Sequence, residues 1–181
     1  MEHVEGPLKV ANDVTRTVLE ATMDALKNSS LAGTPLLAIA TQLAESGWPL
    51  GVDDNAPAVH TRFEGESGEH RAVLTYDHEV ERILLYGVMY DVSEVSARAR
   101  LQELVTRINY GLAVGVFEMD LEDGEIRYRV SIPVAQALPS VVVPALIDAC
   151  AAVDTYAPTF AAVTQGQAAT VALDALRDAL S

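Results

Sequence analysis

Five stretches of the chain carry apolar residues at three- and four-residue steps, the spacing of one helical face. They span residues 9–28, 35–46, 94–111, 140–157 and 167–180. Thr34, Ser93 and Ser140 are the predicted N-caps of the second, third and fourth helices, because a side-chain oxygen there can accept a free N–H. Gly47 is the predicted left-handed stop of the second helix. Pro158 predicts a kink or break in the fourth.

Each predicted helix has a set of residues that we expect to face the core. In the first two helices the sets are Val10, Val14, Val18, Ala21, Ala25 and Leu26, and then Leu36, Leu37, Ile39, Ala40 and Leu43. In the third helix the set is Val95, Leu101, Leu104, Val105 and Ile108, with Glu94 placed in the first turn. In the last two helices the sets are Val143, Leu146, Ile147, Cys150 and Val153, and then Val171, Ala172, Ala175, Leu176 and Ala179.

In the middle of the chain apolar and polar residues alternate with a period of two, which is typical of strands. Residues 59–64 and 71–76 alternate on either side of a turn at 65–68, so they predict a hairpin. A third strand is predicted at 81–91, and its stretch 83–90 is apolar on both faces. Such a strand either lies at the centre of a sheet covered on both sides or offers one face to a partner.

Asp123-Gly124 lies between two alternating runs and predicts a two-residue type I′ hairpin turn. That turn fixes a register in which apolar residues face apolar ones and each arginine faces an acid. The predicted pairs are Leu121 with Ile126, Met119 with Tyr128, Phe117 with Val130, Asp120 with Arg127, and Glu118 with Arg129. The hairpin also explains the acidic stretch 120–125 better than a calcium loop does.

The apolar strand supplies the predicted partner-binding residues, which are Leu84, Tyr86, Val88 and Tyr90 on one of its faces. Aromatic residues are favoured at the cores of interfaces, and two of these four are tyrosines. The alternative is intramolecular, with both faces of the strand covered by the terminal helices.

Length and charge narrow the class of protein. The chain has 181 residues, half of them hydrophobic, and its 12 Lys+Arg against 26 Asp+Glu give a net charge of −14. This size fits a single domain. The charge disfavours direct binding of nucleic acid or of an anionic membrane and favours a basic protein partner. The alternative is that the acidity serves only to keep the protein in solution. The acidic N-terminus and the absence of a long uncharged apolar run predict a cytoplasmic protein without a membrane span.

The residues that carry chemistry form no catalytic motif, and we predict no enzyme, no metal and no cofactor. Cys150 lies on a predicted buried face, where a thiol behaves as a small hydrophobe. His60 and His70 are expected to approach each other across the first hairpin, but without a carboxylate or thiol they are better explained as surface residues. The serines, Ser67 among them, have turn or cap roles.

Two segments resemble a known bacterial family. They are residues 107–129, RINYGLAVGVFEMDLEDGEIRYR, and residues 43–49, LAESGWP, and both are similar to YbjN-like proteins over about 36–159. The resemblance implies an α+β fold like that of type III secretion chaperones, with helices packed on a curved antiparallel sheet of about five strands, and a homodimer. The family is described as sensory or regulatory, and it has no established catalytic residues that the resemblance could assign to this chain. We interpret Asn109 and Tyr110 as ending the helix and positioning the hairpin.

The predicted organisation is one domain, 1–181, with a YbjN-like core at 34–160, an N-terminal helical extension at 1–33 and a C-terminal helix at 166–181. The leading hypothesis is a non-enzymatic chaperone-like or regulatory homodimer that binds a protein partner, for example a basic nucleic-acid-binding protein. The alternative is a small-ligand-binding sensory module with an apolar pocket between sheet and helix.

Overall fold

The computed structural model describes residues 13–90 and 95–181, with side chains from residue 18 to 89 and from 95 onwards. Its helices are α1 (Asp13–Lys27), α2 (Leu36–Glu45), α3 (Arg98–Gly111), α4 (Pro139–Thr164) and α5 (Ala169–Ala179). Its strands are β1 (Leu50–Val52), β2 (Ala58–Gly65), β3 (Gly68–Asp77), β4 (Arg82–Tyr90), β5 (Val116–Met119) and β6 (Ile126–Pro133). The predicted cap Ser93, Glu94, and the predicted helical residues before Asp13 lie outside the described residues.

The strands form one antiparallel sheet in the order β1-β2-β3-β4-β6-β5. This confirms the α+β class and places the apolar strand β4 between β3 and β6, away from both edges. The first hairpin is also confirmed, because Gly65 pairs with Gly68 around Glu66 and Ser67. The prediction of about five strands missed β1, which has only three residues. A run that short carries too little alternation to be recognised.

One face of the sheet packs on the helices and forms the core. Ile83 and Leu85 of β4 are fully buried, and so are Leu146 and Val153 of α4. The strand and the helix approach closely at Gly87, where an added Cβ would lie 2.6 Å from Val153 Cγ2. A cluster of aromatic rings, Phe117, Tyr128, Tyr156 and Phe160, joins β5, β6 and α4.

Helix α2 ends as predicted, whereas its start differs. Gly47 adopts φ +82°. Its N–H bonds to Ala44 C=O and the Trp48 N–H bonds to Leu43 C=O, both at 3.0 Å, which is the double closure that a left-handed glycine permits. Thr34 is not an N-cap, because its hydroxyl donates to the Leu31 C=O at 2.8 Å. That bond closes a turn before the helix, which begins at Leu36.

Helix α4 runs through both of its internal prolines, so of the predicted kink or break at Pro158 the break is wrong. Proline has no N–H for the carbonyl four residues earlier. In α4 that carbonyl belongs to Asp154, and Ser67 Oγ lies 3.2 Å from it, within hydrogen-bond distance. Ser140 is also not the N-cap, since the helix begins at Pro139 with Leu138 before it.

By length and composition alone, α4 is apolar enough to cross a membrane, with a mean hydropathy of 1.4 over its best window. The core helix of a globular fold passes the same test. In this structure Leu146, Cys150 and Val153 are buried in the core shared with the sheet.

The predicted inward residues are confirmed for most of α2, α3 and α4, whereas in the terminal helices only Leu26 and Ala172 are buried among the predicted side chains that the structure describes. Leu36, Ile39, Ala40, Leu43, Leu101, Leu104, Val105 and Ile108 are buried. The wrong ones are exposed, namely Val18, Ala21, Ala25, Val95, Ile147, Val171, Ala175 and Ala179. In α5 Ala172 is buried as predicted, and the other buried residues are Ala169 and Leu173. Stripes built from Ala and Val differ little in hydrophobicity from their neighbours, so the partner helix decides which side is buried.

The second hairpin forms with a register two residues away from the predicted one. Met119 pairs with Ile126, Phe117 with Tyr128 and Glu118 with Arg127. The Asp120 N–H bonds to Glu125 C=O at 2.9 Å, so the connection is a four-residue loop and not the Asp123-Gly124 turn alone. Arg98 of α3 stabilises this loop by donating to the carbonyls of residues 121, 122 and 123. A shift of two keeps the side chains within the two strands on their predicted faces, whereas Leu121, predicted to pair with Ile126, lies in the loop and is 62% exposed.

Candidate protein-binding surface

The side chains of β4 divide between two environments. Ile83, Leu85 and Gly87 are buried on the helix side, whereas Leu84, Tyr86 and Val88 stay half-buried on the opposite side, which we call the open face. Within residues 13–90 and 95–181 no helix buries this face. The predicted group Leu84, Tyr86 and Val88 is thus brought together on one face, and the Tyr90 side chain lies outside the described residues.

The open face carries a short apolar strip along the central strand. Strand pairing sets Val73 of β3 beside Tyr86, so the strip consists of Val73, Leu84, Tyr86 and Val88. Thr75 lies opposite Leu84 and Arg71 lies opposite Val88. The strip therefore continues into polar side chains on the β3 side.

Arginines surround the strip, and the sequence prediction missed them. The residues opposite Leu84, Tyr86 and Val88 on β6 are Ser131, Arg129 and Arg127. Arg62 on β2 pairs with Arg71, and Arg82 begins β4 itself. In each of these strands the alternation of side chains places the arginine on the same face as the strip. The alternation that predicted the strip could therefore also have predicted these arginines.

Glu118 of β5 fixes two of the arginines. Arg127 Nε lies 2.6 Å from Glu118 Oε1, and Arg129 Nε lies 2.7 Å from Oε2. Burial works to raise the pKa of Glu118, but the hydrogen bonds from Arg129 and Arg127 outweigh it and leave that pKa below its ordinary value. The carboxylate therefore stays charged and holds both guanidinium groups in place.

Arg127 also covers the aromatic ring of the strip. Its guanidinium carbon lies 4.3 Å from the centroid of the Tyr86 ring, a cation–π arrangement. Partial burial raises the pKa of the Tyr86 hydroxyl, against the opposing charge of Arg127. Tyr86 is thus held as a neutral, oriented ring beside a fixed positive charge.

A groove of about 440 Å³ extends the open face toward β1. Its lining includes His60, Arg62, Arg71 and Val73. His60 points to this side, whereas His70 points to the helix side and stacks on Phe63 with ring centroids 5.1 Å apart. The expected approach of His60 and His70 is therefore wrong, because His60 pairs with Val73 and His70 pairs with Phe63.

Ser67, His70 and Asp154 lie together where the first hairpin meets α4. Asp154 accepts the Glu66 N–H at 2.9 Å and the Ser67 N–H at 2.8 Å, and the Ser67 hydroxyl donates to it as well. These bonds, from the Ser67 hydroxyl first, hold the pKa of Asp154 well below its ordinary value against the opposing effect of burial. Sequence reasoning missed Asp154, because 84 positions separate it from His70.

The geometry of this cluster differs from that of a hydrolytic triad. Ser67 Oγ and Asp154 Oδ1 both approach the same ring nitrogen, His70 Nε2, at 3.0 and 3.2 Å. In a triad the serine nucleophile and the orienting carboxylate bond to opposite nitrogens of the imidazole. The carboxylate here also accepts two backbone N–H groups of the turn, so the cluster fastens the hairpin to the helix.

A groove of about 820 Å³ lies between α3 and α5. Charged pairs within each helix line it, Glu103 with Arg107 and Asp174 with Arg177. It differs from the apolar pocket between sheet and helix that the small-ligand alternative expects. That alternative stays a prediction.

These observations define an α+β protein with helices on one face of an antiparallel sheet and an arginine-flanked apolar strip on the other. Residues 35–162 match the family model of YbjN, described as "Putative bacterial sensory transduction regulator". The chain belongs to the YbjN family.

Among solved structures, the chain is similar to one from the crystal structure of the ExsC-ExsE complex. The identity is 17%, the match covers 66% of this chain and 88% of that chain, and the TM-score is 0.43. No curated protein matches the chain.

Proposed function

We propose that this protein is a regulatory or chaperone-like module that acts by binding a protein partner on its open face, and not by catalysis. The observation that carries the proposal is the half-buried apolar strip on the central strand, which lies on the side of the sheet that none of the described helices covers. Membership of a family described as regulatory supports it. A cytoplasmic setting, which the sequence predicts, is part of the proposal.

The strip has the composition of an interface core. Apolar and aromatic side chains at the centre with polar groups at the rim are the usual anatomy of a protein-binding surface. Tyr and Arg are also the residue types that most often dominate binding energy, and Tyr86 and Arg127 are already stacked before any partner arrives. A preorganised pair of this kind loses little side-chain entropy on binding.

Site-directed photo-crosslinking tests the proposal. A photoreactive amino acid replaces Val88 in one variant and Val171, an exposed valine of α5, in a matched control. We expect a single stoichiometric protein adduct in cells from position 88 and not from position 171. Val88→Ser is expected to lose the same partner in a pull-down at low salt, while Val171→Ser keeps it. Equal adducts from both positions would contradict the proposal.

The homodimer belongs to the same proposal and has its own candidate surface. Tyr110, in the last turn of α3, is 96% exposed, and Val114, in the loop before the exposed Val116 that begins β5, is 63% exposed. We take these three residues as the candidate contact surface of the dimer. Light scattering is expected to give a mass about twice 19.3 kDa and to fall toward the monomer in Tyr110→Ser. A monomer at all micromolar concentrations would exclude the dimer.

The net charge supports a basic partner, such as a nucleic-acid-binding protein, as one version of the proposal. A chain at −14 attracts positive charge at long range and speeds the encounter at low salt. Contact itself takes place on the open face, however, where a basic segment would lie beside Arg71, Arg127 and Arg129.

A further inference from the structure

Helix α4 is more apolar than its place in the core requires. Its most apolar 18-residue window has a mean hydropathy of 1.4, yet only 28% of that window is buried, whereas a core helix that passes the same test is mostly buried. The uncovered side carries four exposed residues at steps of three and four, Val141, Pro144, Ile147 and Ala151, which we call the outer stripe. Val141 is 43% exposed and Ile147 is 51% exposed.

The outer stripe continues into a groove of about 590 Å³ between α4 and the end of α5, which we call the α4–α5 groove. Its apolar lining comes from both helices and includes Ala151, Pro158, Leu176, Ala179 and Leu180. Leu180 is 69% exposed. An exposed apolar stripe that leads into a groove beside a second helix is the kind of surface on which an amphipathic helix docks.

The charged side chains that border this surface are acids. Asp148 is exposed on α4 next to Ile147, and Glu66 lines the α4–α5 groove from the turn of the first hairpin. Asp178 is exposed in the last turn of α5. Helices α2 and α4 contain no Lys, Arg or His, and none of the residues that line the groove is one of these three types.

Most cations of the helices are engaged elsewhere. Among the helix side chains that the structure describes, three cations pair with an acid of their own helix at 2.7 to 3.3 Å, namely Lys27 with Asp24, Arg107 with Glu103 and Arg177 with Asp174. Arg98 donates to the carbonyls of the loop between β5 and β6. Arg100 is half-buried, and its Nε is enclosed within the protein. The acids beside the outer stripe therefore face solvent without a neighbouring cation of these helices.

We propose that the outer stripe and the α4–α5 groove take a basic amphipathic helix of a partner protein, with its apolar side on Val141, Ile147 and Leu180 and its cations toward Asp148 and Glu66. This surface lies on the helix side of the sheet, away from the open face, so the inference goes beyond the proposed function and holds or fails independently of it. A second copy of the chain fits this surface poorly, because it brings the same acids and the same net charge of −14.

The charge of the chain and the charge of this surface act in the same direction. The net charge of −14 attracts a basic helix at long range, and the acids beside the outer stripe attract it at close range. The association rate is therefore expected to fall as salt is added. An anionic membrane surface would be repelled by the same acids.

The test measures the binding of three fluorescent peptides to the full chain. One is a helical peptide with a leucine stripe flanked by lysines, the second has glutamates in place of the lysines, and the third has the composition of the first in an order without a stripe. Ile147→Ser is compared with Val80→Ser, a valine that is 59% exposed in the turn between β3 and β4. Asp148→Lys is compared with Glu79→Lys in the same turn, because both change the net charge equally. Val88→Ser reports on the open face, and thermal unfolding checks that each variant is folded.

We expect the lysine peptide with the stripe to bind at least about tenfold more tightly than either of the other two near 0.1 M salt. Ile147→Ser is expected to lose at least about tenfold of that affinity and Asp148→Lys at least about threefold, while Val80→Ser and Glu79→Lys stay within about twofold. Equal losses within the two matched pairs would overturn the proposal. A loss in Val88→Ser alone would place the peptide on the open face and would overturn it as well.

Light scattering of the chain without peptide tests the remaining occupant. We expect Ile147→Ser to leave the mass of the protein unchanged. A fall of that mass toward the monomer in Ile147→Ser, but not in Val80→Ser, would show that a second copy covers the outer stripe, and the proposal would fail.

Discussion

Asn109 forms two hydrogen bonds with the main chain of Phe117. Its Nδ2 donates to the Phe117 C=O and its Oδ1 accepts the Phe117 N–H, each at 2.8 Å. Strand β5 is an edge of the sheet, with β6 on one side only. The amide side chain of Asn109 therefore takes the place that a neighbouring strand would occupy, which is one way in which proteins protect an edge. The prediction that Asn109 positions the hairpin is confirmed at this contact. The prediction that Asn109 and Tyr110 end the helix is wrong, because α3 continues to Gly111.

Removal of this amide is expected to destabilise the fold. Asn109→Ala leaves a donor and an acceptor of Phe117 without partners, at a cost of about 1–3 kcal/mol in the free energy of unfolding. Urea denaturation measures the change. Asn28→Ala is the control, since its amide makes one exposed bond to the Asp24 C=O, and its loss is expected to be under about 1 kcal/mol. Equal losses in the two variants would contradict the edge role of Asn109.

The second hairpin shows how far the sequence could define the fold. Alternation correctly predicted both strands and the face of each side chain within them, because a shift of two residues preserves the face, but it wrongly extended the first strand to Leu121. It could not fix the register, since Arg98 holds the carbonyls of Leu121, Glu122 and Asp123 from a helix about 25 positions away. A local turn signal contains no information about that contact.

The candidate surface was also predictable only in part, because alternation assigns side chains to a face but does not say which strands pair. The two-residue alternation of a strand predicted that Leu84, Tyr86 and Val88 share one face, and in the structure they do. The pairing of β4 with β6 could not be predicted from local sequence patterns, because α3 and β5 separate these strands in the sequence. Only that pairing places Arg127 on Tyr86 and gives the strip its positive flank.

The bonds of Asp154 predict a stability that depends on pH. The pKa of Asp154 is lowered in the folded state, so its contribution is complete above the unfolded value near about 4 and is lost as the pH falls below it. Asp154→Asn is expected to cost about 1–3 kcal/mol near neutral pH and progressively less toward about pH 3. Urea denaturation across this range measures the difference.

Asp148→Asn is the control for that prediction, because Asp148 is an exposed carboxylate of the same helix. Its effect is expected to stay small at every pH. A cost of Asp154→Asn that is constant or grows on acidification would show that the carboxylate is not the group that fastens the hairpin.

The contact between Gly87 and α4 predicts a position that cannot accept a larger residue. An alanine Cβ there would lie 2.6 Å from Val153 Cγ2 and 3.4 Å from the Ala149 C=O. Gly87→Ala is therefore expected to lower the free energy of unfolding by about 1–3 kcal/mol. Gly111→Ala, whose Cβ meets nothing within 4 Å, is expected to be neutral or slightly stabilising.

A double-mutant cycle isolates the contact. Val153→Ala removes the methyl groups nearest Gly87, so Gly87→Ala should cost less by at least about 0.5 kcal/mol in that background. Additive effects in the cycle would mean that the strand and the helix do not meet at these two residues.

Burial of the single cysteine predicts its reactivity. Cys150 is 6% exposed in the core between α4 and the sheet, and desolvation raises the pKa of its thiol to about 12. Since the thiolate is the reactive form, an aromatic disulfide reagent is expected to react slowly with the folded chain near about pH 8 and rapidly in denaturant. The chain has one cysteine, so the reaction reports on this site alone. Under native conditions the rate should follow the unfolding of α4 as denaturant is raised, and fast stoichiometric labelling of the folded protein would place α4 away from the sheet.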